Sequence, residues 1–285
     1  MVYLRNKMRR GWALLALLTL LLTAAPAWGA SYFVYQQWGG TWQDANKSAA
    51  NTEDDLMCWA AAASNVLTWG YWGTPTYNTT DKVFKHFQDH WTDNAGFANW
   101  GWKWWFNGSP PPTSRYSYID VPGGGNFYPT LNYTSYFTYS MWGNFMAAVD
   151  TFMHNGYGIA LTIKNGTAAH SVTAWGFDYL TTSGGTVYQS IYLTDSDDGV
   201  TALKKYGLLY KDSIWYLDGS YTGWRLTGVY GLSKKQLLGT GFQSGGGEPL
   251  LATAAVAPVP LTPTWLLLAT GLLVLIGGRA RRRLG

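Results

Sequence analysis

The run Thr52-Glu53-Asp54-Asp55-Leu56-Met57-Cys58-Trp59-Ala60-Ala61-Ala62-Ala63-Ser64-Asn65-Val66-Leu67 decides how the chain is read. Thr52 can cap a helix, and Asp55, three residues later, can reach back as its capping-box partner, less well than the longer Glu would. Alanine and leucine then favour helix, and Ala62, Val66 and Trp69 recur at helical spacing. Four consecutive alanines permit close approach by a neighbouring element. Cys58 is thereby placed early in a buried, small-residue helix, where backbone dipoles favour a thiolate. The other reading of a lone cysteine, a small buried hydrophobe, stays open at this point. With one Cys among 285 residues, an internal disulfide and any multi-cysteine metal site are excluded.

Downstream, helical patterns give way to strand patterns. Thr80–Trp91 presents Val83, Phe84, Phe87 and Trp91 on one face, and Met141–Asn155 presents Phe145, Val149 and Phe152, with Gly156 as a stop. Residues 100–106 are strongly aromatic, and Pro110-Pro111-Pro112 and Gly123-Gly124-Gly125 mark loops. Strands are expected at 158–163, 170–177, 187–194, 204–209, 214–217 and 224–232. Helices first and strands later predict an α+β fold with an antiparallel sheet.

His170 opens one of these strands and is the best general-base candidate of the four histidines, since from a sheet end it can face a helix end; a surface histidine is its other reading. Asp195 and Asp197 follow the strand ending at Thr194, and one of them can orient the His170 imidazole. The same residues suit a plain turn or a partial calcium loop, although the full twelve-residue ligand pattern is lacking. His86 and His90, four apart, could serve zinc, but no HExxH glutamate is present and a solvated helix face is preferred. His154 reads as a helix C-terminal interaction. No cofactor or metal is expected.

The ends are of another kind. Arg5 to Arg10 precede the apolar run Trp12–Ala25, and Ala27-Trp28-Gly29 suits cleavage before Ala30, so residues 1–29 are read as a signal peptide. The folded body is expected over 30–244, a flexible linker over 245–260, a hydrophobic segment over 261–278 and a basic tail over 279–285. The 18 residues of 261–278 would span about 27 Å as a helix, with the arginines left on the cytoplasmic side. The formal charge of +4 comes from these ends, since residues 30–244 carry 12 basic and 15 acidic side chains. A nucleic-acid partner is therefore not expected. Aromatics at 17% against 13% charged residues exclude wholesale disorder.

Three blocks go further by their wording. Thr41-Trp42-Gln43-Asp44-Ala45-Asn46-Lys47 with Glu53–Cys58 and Asn65–Trp69, then Ala169–Asp178, then Ile191–Asp197 with Lys204-Lys205-Tyr206, resemble the streptococcal immunoglobulin-degrading cysteine endopeptidases, the IdeS/Mac family, papain-like in fold. The blocks occur in family order over about residues 38–235. The resemblance implies a papain-like fold and peptide-bond hydrolysis, with Cys58 as nucleophile, His170 as general base and Asp195 as the residue orienting it. It also implies Asp197 as a second carboxylate and Lys47 as a contributor to the oxyanion site. The tail resembles exosortase-type (PEP-CTERM-like) sorting signals of Gram-negative bacteria, with Val259-Pro260-Leu261-Thr262-Pro263 where the commonest form has Pro-Glu-Pro. It implies sorting or processing machinery as a partner, membrane contact unless the segment is removed, and a surface, outer-membrane or secreted location.

The leading expectation is an exported cysteine endopeptidase acting on protein or peptide substrates. One alternative is a non-catalytic glycan-binding module using Trp91, Trp100, Trp102, Trp104, Trp105 and Trp142 as stacking platforms, although an aromatic core would look the same. Another is a related Cys-His-Asp amidase or acyltransferase.

Overall fold

The computed structural model describes residues 28–48, 52–109 and 119–235. Most of the expected signal peptide, and all of the linker, the hydrophobic segment and the basic tail, lie outside the described residues. Among the described residues no helix is long and apolar enough to cross a membrane.

Strand β1 (Trp28–Phe33) runs straight into a short helix α1 (Val34–Trp38). An irregular strap, 39–48, and a one-turn 3-10 helix, Thr52–Asp54, lead to α2 (Cys58–Trp69). Helices α3 (Thr80–Gln88) and α4 (Ala98–Asn107) pack on α2. Strand β2 (Phe137–Ser140) and helix α5 (Phe145–His154) precede the strands β3 (Tyr157–Asn165), β4 (Ala168–Thr182), β5 (Gly185–Thr194), β6 (Lys204–Lys211), β7 (Ile214–Leu217) and β8 (Arg225–Ser233).

These last six strands form a closed antiparallel ring in the order β4-β3-β8-β7-β6-β5 and back to β4. Its weakest join is β7–β8, where Tyr216 faces Arg225. Fifteen residues make β4 long enough to pair on one edge first with β3 and then with β1, and on the other with β5. From Thr173 onward β4 is paired with β5, and on its other edge with β3 and then β1, which leaves little free backbone there to template another chain. Strand β2 lies on the outer edge of β8. The α+β character holds, with β1 preceding the helices and α5 following them; a closed ring was not expected.

Two apolar cores result. One joins α2, α3 and α4 to the outer face of the sheet through Ala160, Tyr230 and Leu232. The other fills the barrel with Ile159, Leu161, Val172, Ala174, Ile191 and Leu193 among others. Helix α2 belongs to both, because Trp69 packs with the barrel residues. From Trp59 to Leu67 every side chain is buried, which is what an all-round apolar helix predicts. Close approach to the sheet is achieved at Gly158, where an added Cβ would lie 2.9 Å from both Trp69 and Val66.

Two expectations are corrected here, and one open choice, platform or core for the tryptophans, is narrowed. The central helix does not start at a Thr52 cap: it starts at Cys58, with Met57 as N-cap and no side-chain cap. The reason is Asp54, which is fully buried and accepts hydrogen bonds from Ser48 N–H (3.2 Å) and Gln88 Nε2 (2.8 Å), so the turn before the helix is pinned to the strap and to α3. Next, the tryptophan-rich segment is interior. Trp91, Trp102, Trp104 and Trp105 are buried, Trp100 is half-buried, and only Trp142 of the six stands in solvent, 88% exposed. Aromatic residues surround α4 on all sides, which left no helical period to read there. Finally, His86 is not on a solvated face: it is buried against Tyr77, Trp104, Trp105 and Phe127, and its Nε2 lies 2.9 Å from the Gly124 carbonyl. Burial holds its pKa below the ordinary histidine value.

Candidate active site

The site forms where the start of α2 meets the ends of β4 and β5. Asn65 sets this register. Buried in α2, it donates from Nδ2 to Thr173 Oγ1 in β4 (2.9 Å) and accepts the Ala45 N–H of the strap (2.8 Å). Cys58 lies seven residues back along the helix, about 10 Å at 1.5 Å per residue. His170 lies three residues back along the strand, again about 10 Å. The same hydrogen bond therefore levels the thiol with the imidazole.

Cys58 is the first residue of α2 and half-buried. It sits among the N-terminal amides that a helix leaves without internal partners, at the positive end of the dipole. Burial pushes the thiol up, but the hydrogen bond and charge of His170, the Ser171 amide and the charge of Lys47 outweigh it and hold Cys58 below its ordinary value.

His170 is buried at the barrel mouth, third residue of β4. Its Nε2 lies 2.7 Å from Asp195 Oδ1, which leaves Nδ1 for Cys58 and, at 3.7 Å, for Asp197 Oδ2. Burial lowers an imidazole's pKa, but here Asp195, Cys58 and Asp197 together raise it well above the usual range. The thiolate and imidazolium forms thus support one another, and the two groups titrate as a pair.

Asp195 is the first residue past β5, and the chain turns there. Besides His170 it takes Tyr221 O–H on Oδ2 (2.5 Å) and the Asp197 N–H on Oδ1 (3.0 Å). Burial alone would raise this carboxyl; its three donors keep it below the ordinary value. Because the chain turns, Asp195 and Asp197 reach His170 from different sides. Asp197 is half exposed and pairs with Lys47 Nζ at 2.8 Å. Lys47 also donates to the Asp55 carbonyl, and its backbone N–H bonds the Ser196 carbonyl (2.9 Å). Two of its three ammonium protons are then committed, and one remains. All five residues singled out from the sequence, Cys58, His170, Asp195, Asp197 and Lys47, are brought together.

His90 and His154 are elsewhere. His90 Nδ1 bonds the Val121 carbonyl (2.7 Å), and His154 meets the Asp150 carboxylate at 2.6 Å near the end of α5. Asp198, in the turn that follows β5, pairs with Lys204 at 2.7 Å.

Tyr221 and Trp224 were not anticipated. Tyr221 stacks on His170 with ring centroids 6.0 Å apart and planes at 28°, and Trp224 meets both rings edge-on. They sit around a single 3-10 turn, Gly219–Tyr221, whose residues carry no periodic signal. Asn65 could have been found as a polar residue in an otherwise apolar helix.

His170, Asp195 and Asp197 offer nitrogen and oxygen atoms within 4.8 Å of one another. Two ligands on one tetrahedral ion would stand roughly 3.4 Å apart. The 2.7 Å between His170 Nε2 and Asp195 Oδ1 is the spacing of a direct hydrogen bond. These residues fit a hydrogen-bonded imidazole–carboxylate pair better than a metal cage.

Compared with known protein-family models and with curated proteins, the chain matches none.

Proposed function

We propose that the chain is an exported cysteine endopeptidase of papain-like design. The observation that carries this reading is the hydrogen-bonded series of a helix-start thiol, an imidazole and a buried carboxylate, Cys58–His170–Asp195. The Cys58 thiolate attacks the scissile carbonyl carbon, and the charge formed on its oxygen falls near Lys47. His170 passes its Nδ1 proton to the leaving amine as the carbon–nitrogen bond breaks, giving a thioester. Water, deprotonated by His170, then cleaves the thioester and releases the Cys58 thiolate beside the imidazolium. Removing Lys47 should lower kcat by about 100-fold or more if it donates to the oxyanion. Export rests on the residue pattern of 1–29, and surface attachment or release on that of 245–285.

An amidase or acyltransferase would use the same residues, and the products separate the three. New chain termini mark the peptidase, deamidated glutamine the amidase, ligated peptide the transferase.

The decisive test needs no substrate. Cys58 alkylation by iodoacetamide is measured from pH 4 to pH 9, in the full chain and in His170→Ala. A lowered thiol and a raised imidazole widen the range in which both are charged. Fast labelling should therefore persist well below pH 8, and His170→Ala should slow it at low pH. Labelling that follows an ordinary thiol, with the variant unchanged, would refute the pair and the proposal.

A further inference from the structure

The strap that brings Lys47 to the site also walls a separate cavity of about 760 Å³. Opposite the strap stand Thr79, Thr80 and Asp81 at the start of α3, with Thr201 closing one side. Thr80 Oγ1 donates to Gln43 Oε1 (2.6 Å), joining helix to strap. The lining holds two carboxylates and a set of neutral oxygens but no Lys, Arg or His. The cations around it are engaged: Lys47 with Asp197, Lys204 with Asp198, and Lys82 with the Asn78 side chain.

Asp44, one of the two lining carboxylates, is 91% buried (9% exposed). Its Oδ2 accepts the Ala202 N–H (3.0 Å), while Oδ1 has no donor among the described residues. Asn46 Oδ1, also from the strap, is likewise without a donor there. A buried carboxylate oxygen left without a donor is costly, so this is a place where an incoming donor would be gained rather than merely exchanged. The start of α3 contributes about half a positive charge. The carboxylates Asp44 and Asp81 outweigh it.

We propose that this cavity is a substrate subsite for a basic side chain, lysine or arginine, with Asp81 at the rim and Asp44 below. The inference rests on the endopeptidase reading, since Asp44 is three residues from Lys47, at most about 10 Å of chain and so within reach of a bound peptide. Burial, together with Asp198 and Asp195, pushes the Asp44 carboxyl up to about 7, against the lowering effects of Ala202 N–H and Lys204. A cation arriving in the cavity would favour its ionised form, so occupancy should release a proton near neutral pH.

The test digests a proteome-derived peptide mixture with the full chain and reads the cleavage sites by mass spectrometry, beside the iodoacetamide profile. Lysine or arginine should be enriched about tenfold at one fixed position relative to the bond cut. Asp44→Asn and Asp81→Asn should each reduce that enrichment to threefold or less. Asp81 is exposed, so its variant keeps the test alive if the buried one fails to fold. Fast alkylation at low pH with no basic preference, or with no products, overturns the subsite alone. Ordinary thiol behaviour with no cleavage overturns the endopeptidase reading and the subsite with it. Stoichiometric calcium binding lost in Asp44→Asn would make the cavity an ion site and overturn the proposal.

Discussion

A carboxyl buried beside other carboxyls costs stability once it ionises, and Asp44 is so placed, with a pKa near 7 in the fold. Its folded value is raised above the unfolded one. The stability linked to it is therefore complete below about pH 4 and is lost as pH climbs towards 7. Asp44→Asn keeps an acceptor for the Ala202 N–H and removes the charge. Urea denaturation should show it about 2 kcal/mol more stable than wild type at pH 8 and no different at pH 4. An equal effect at both pH values would mean that Asp44 ionises normally. His170 is also raised, but through partners that favour its charge. Its stabilisation is complete below about pH 6.5 and falls as pH rises through the folded value. His170→Gln should thus flatten the alkaline limb of a plot of stability against pH. Asn65 acts through geometry instead. Asn65→Leu leaves the Ala45 N–H and the Thr173 hydroxyl short of a partner and should cost about 2–3 kcal/mol by denaturant unfolding. A loss under 0.5 kcal/mol would mean the strap is held without it.

At the scale of elements, α2 depends on Gly158 for its distance from the sheet. Gly158→Ala should cost about 1–3 kcal/mol through overpacking against Trp69 and Val66, read as a drop in Tm. An unchanged Tm would show that those side chains give way freely. The elements readable from sequence were those with a clear period. Strand β7 was expected at 214–217 and lies there, β3 to β6 and β8 lie within a few residues of expectation, and α3 and α5 needed only trimming at their ends. Helix α4 escaped because Trp102, Trp104, Trp105 and Phe106 are buried on every side of it, which removes amphipathic contrast. The start of α2 was misread because a capping pattern is local, whereas Asp54 is held by Gln88, 34 residues away. The chemistry of Cys58, His170 and the two aspartates was legible as residue types. Their partners Tyr221 and Trp224 were not, since only the folded barrel mouth brings that turn beside His170.

Across the whole molecule, barrel closure could not be read from any one segment, because β4 pairs with three other strands and the ring closes through a single facing pair. With α2 shared by the helical and barrel cores, the two should not unfold separately. Tryptophan fluorescence, weighted to the helical half, and far-UV circular dichroism should give coincident denaturation curves. Curves that part would reveal two independent units. The site draws on residues 47, 58, 170 and 195, and this long separation matters for the order of events. A chain emerging N-terminus first presents Cys58 more than a hundred residues before His170, and the imidazole is oriented only once β5 has delivered Asp195. Until then the sulfur is an ordinary thiol. Under the proposed activity, the producing cell needs no separate inhibitor segment while the chain is in transit, because latency is supplied by incompleteness.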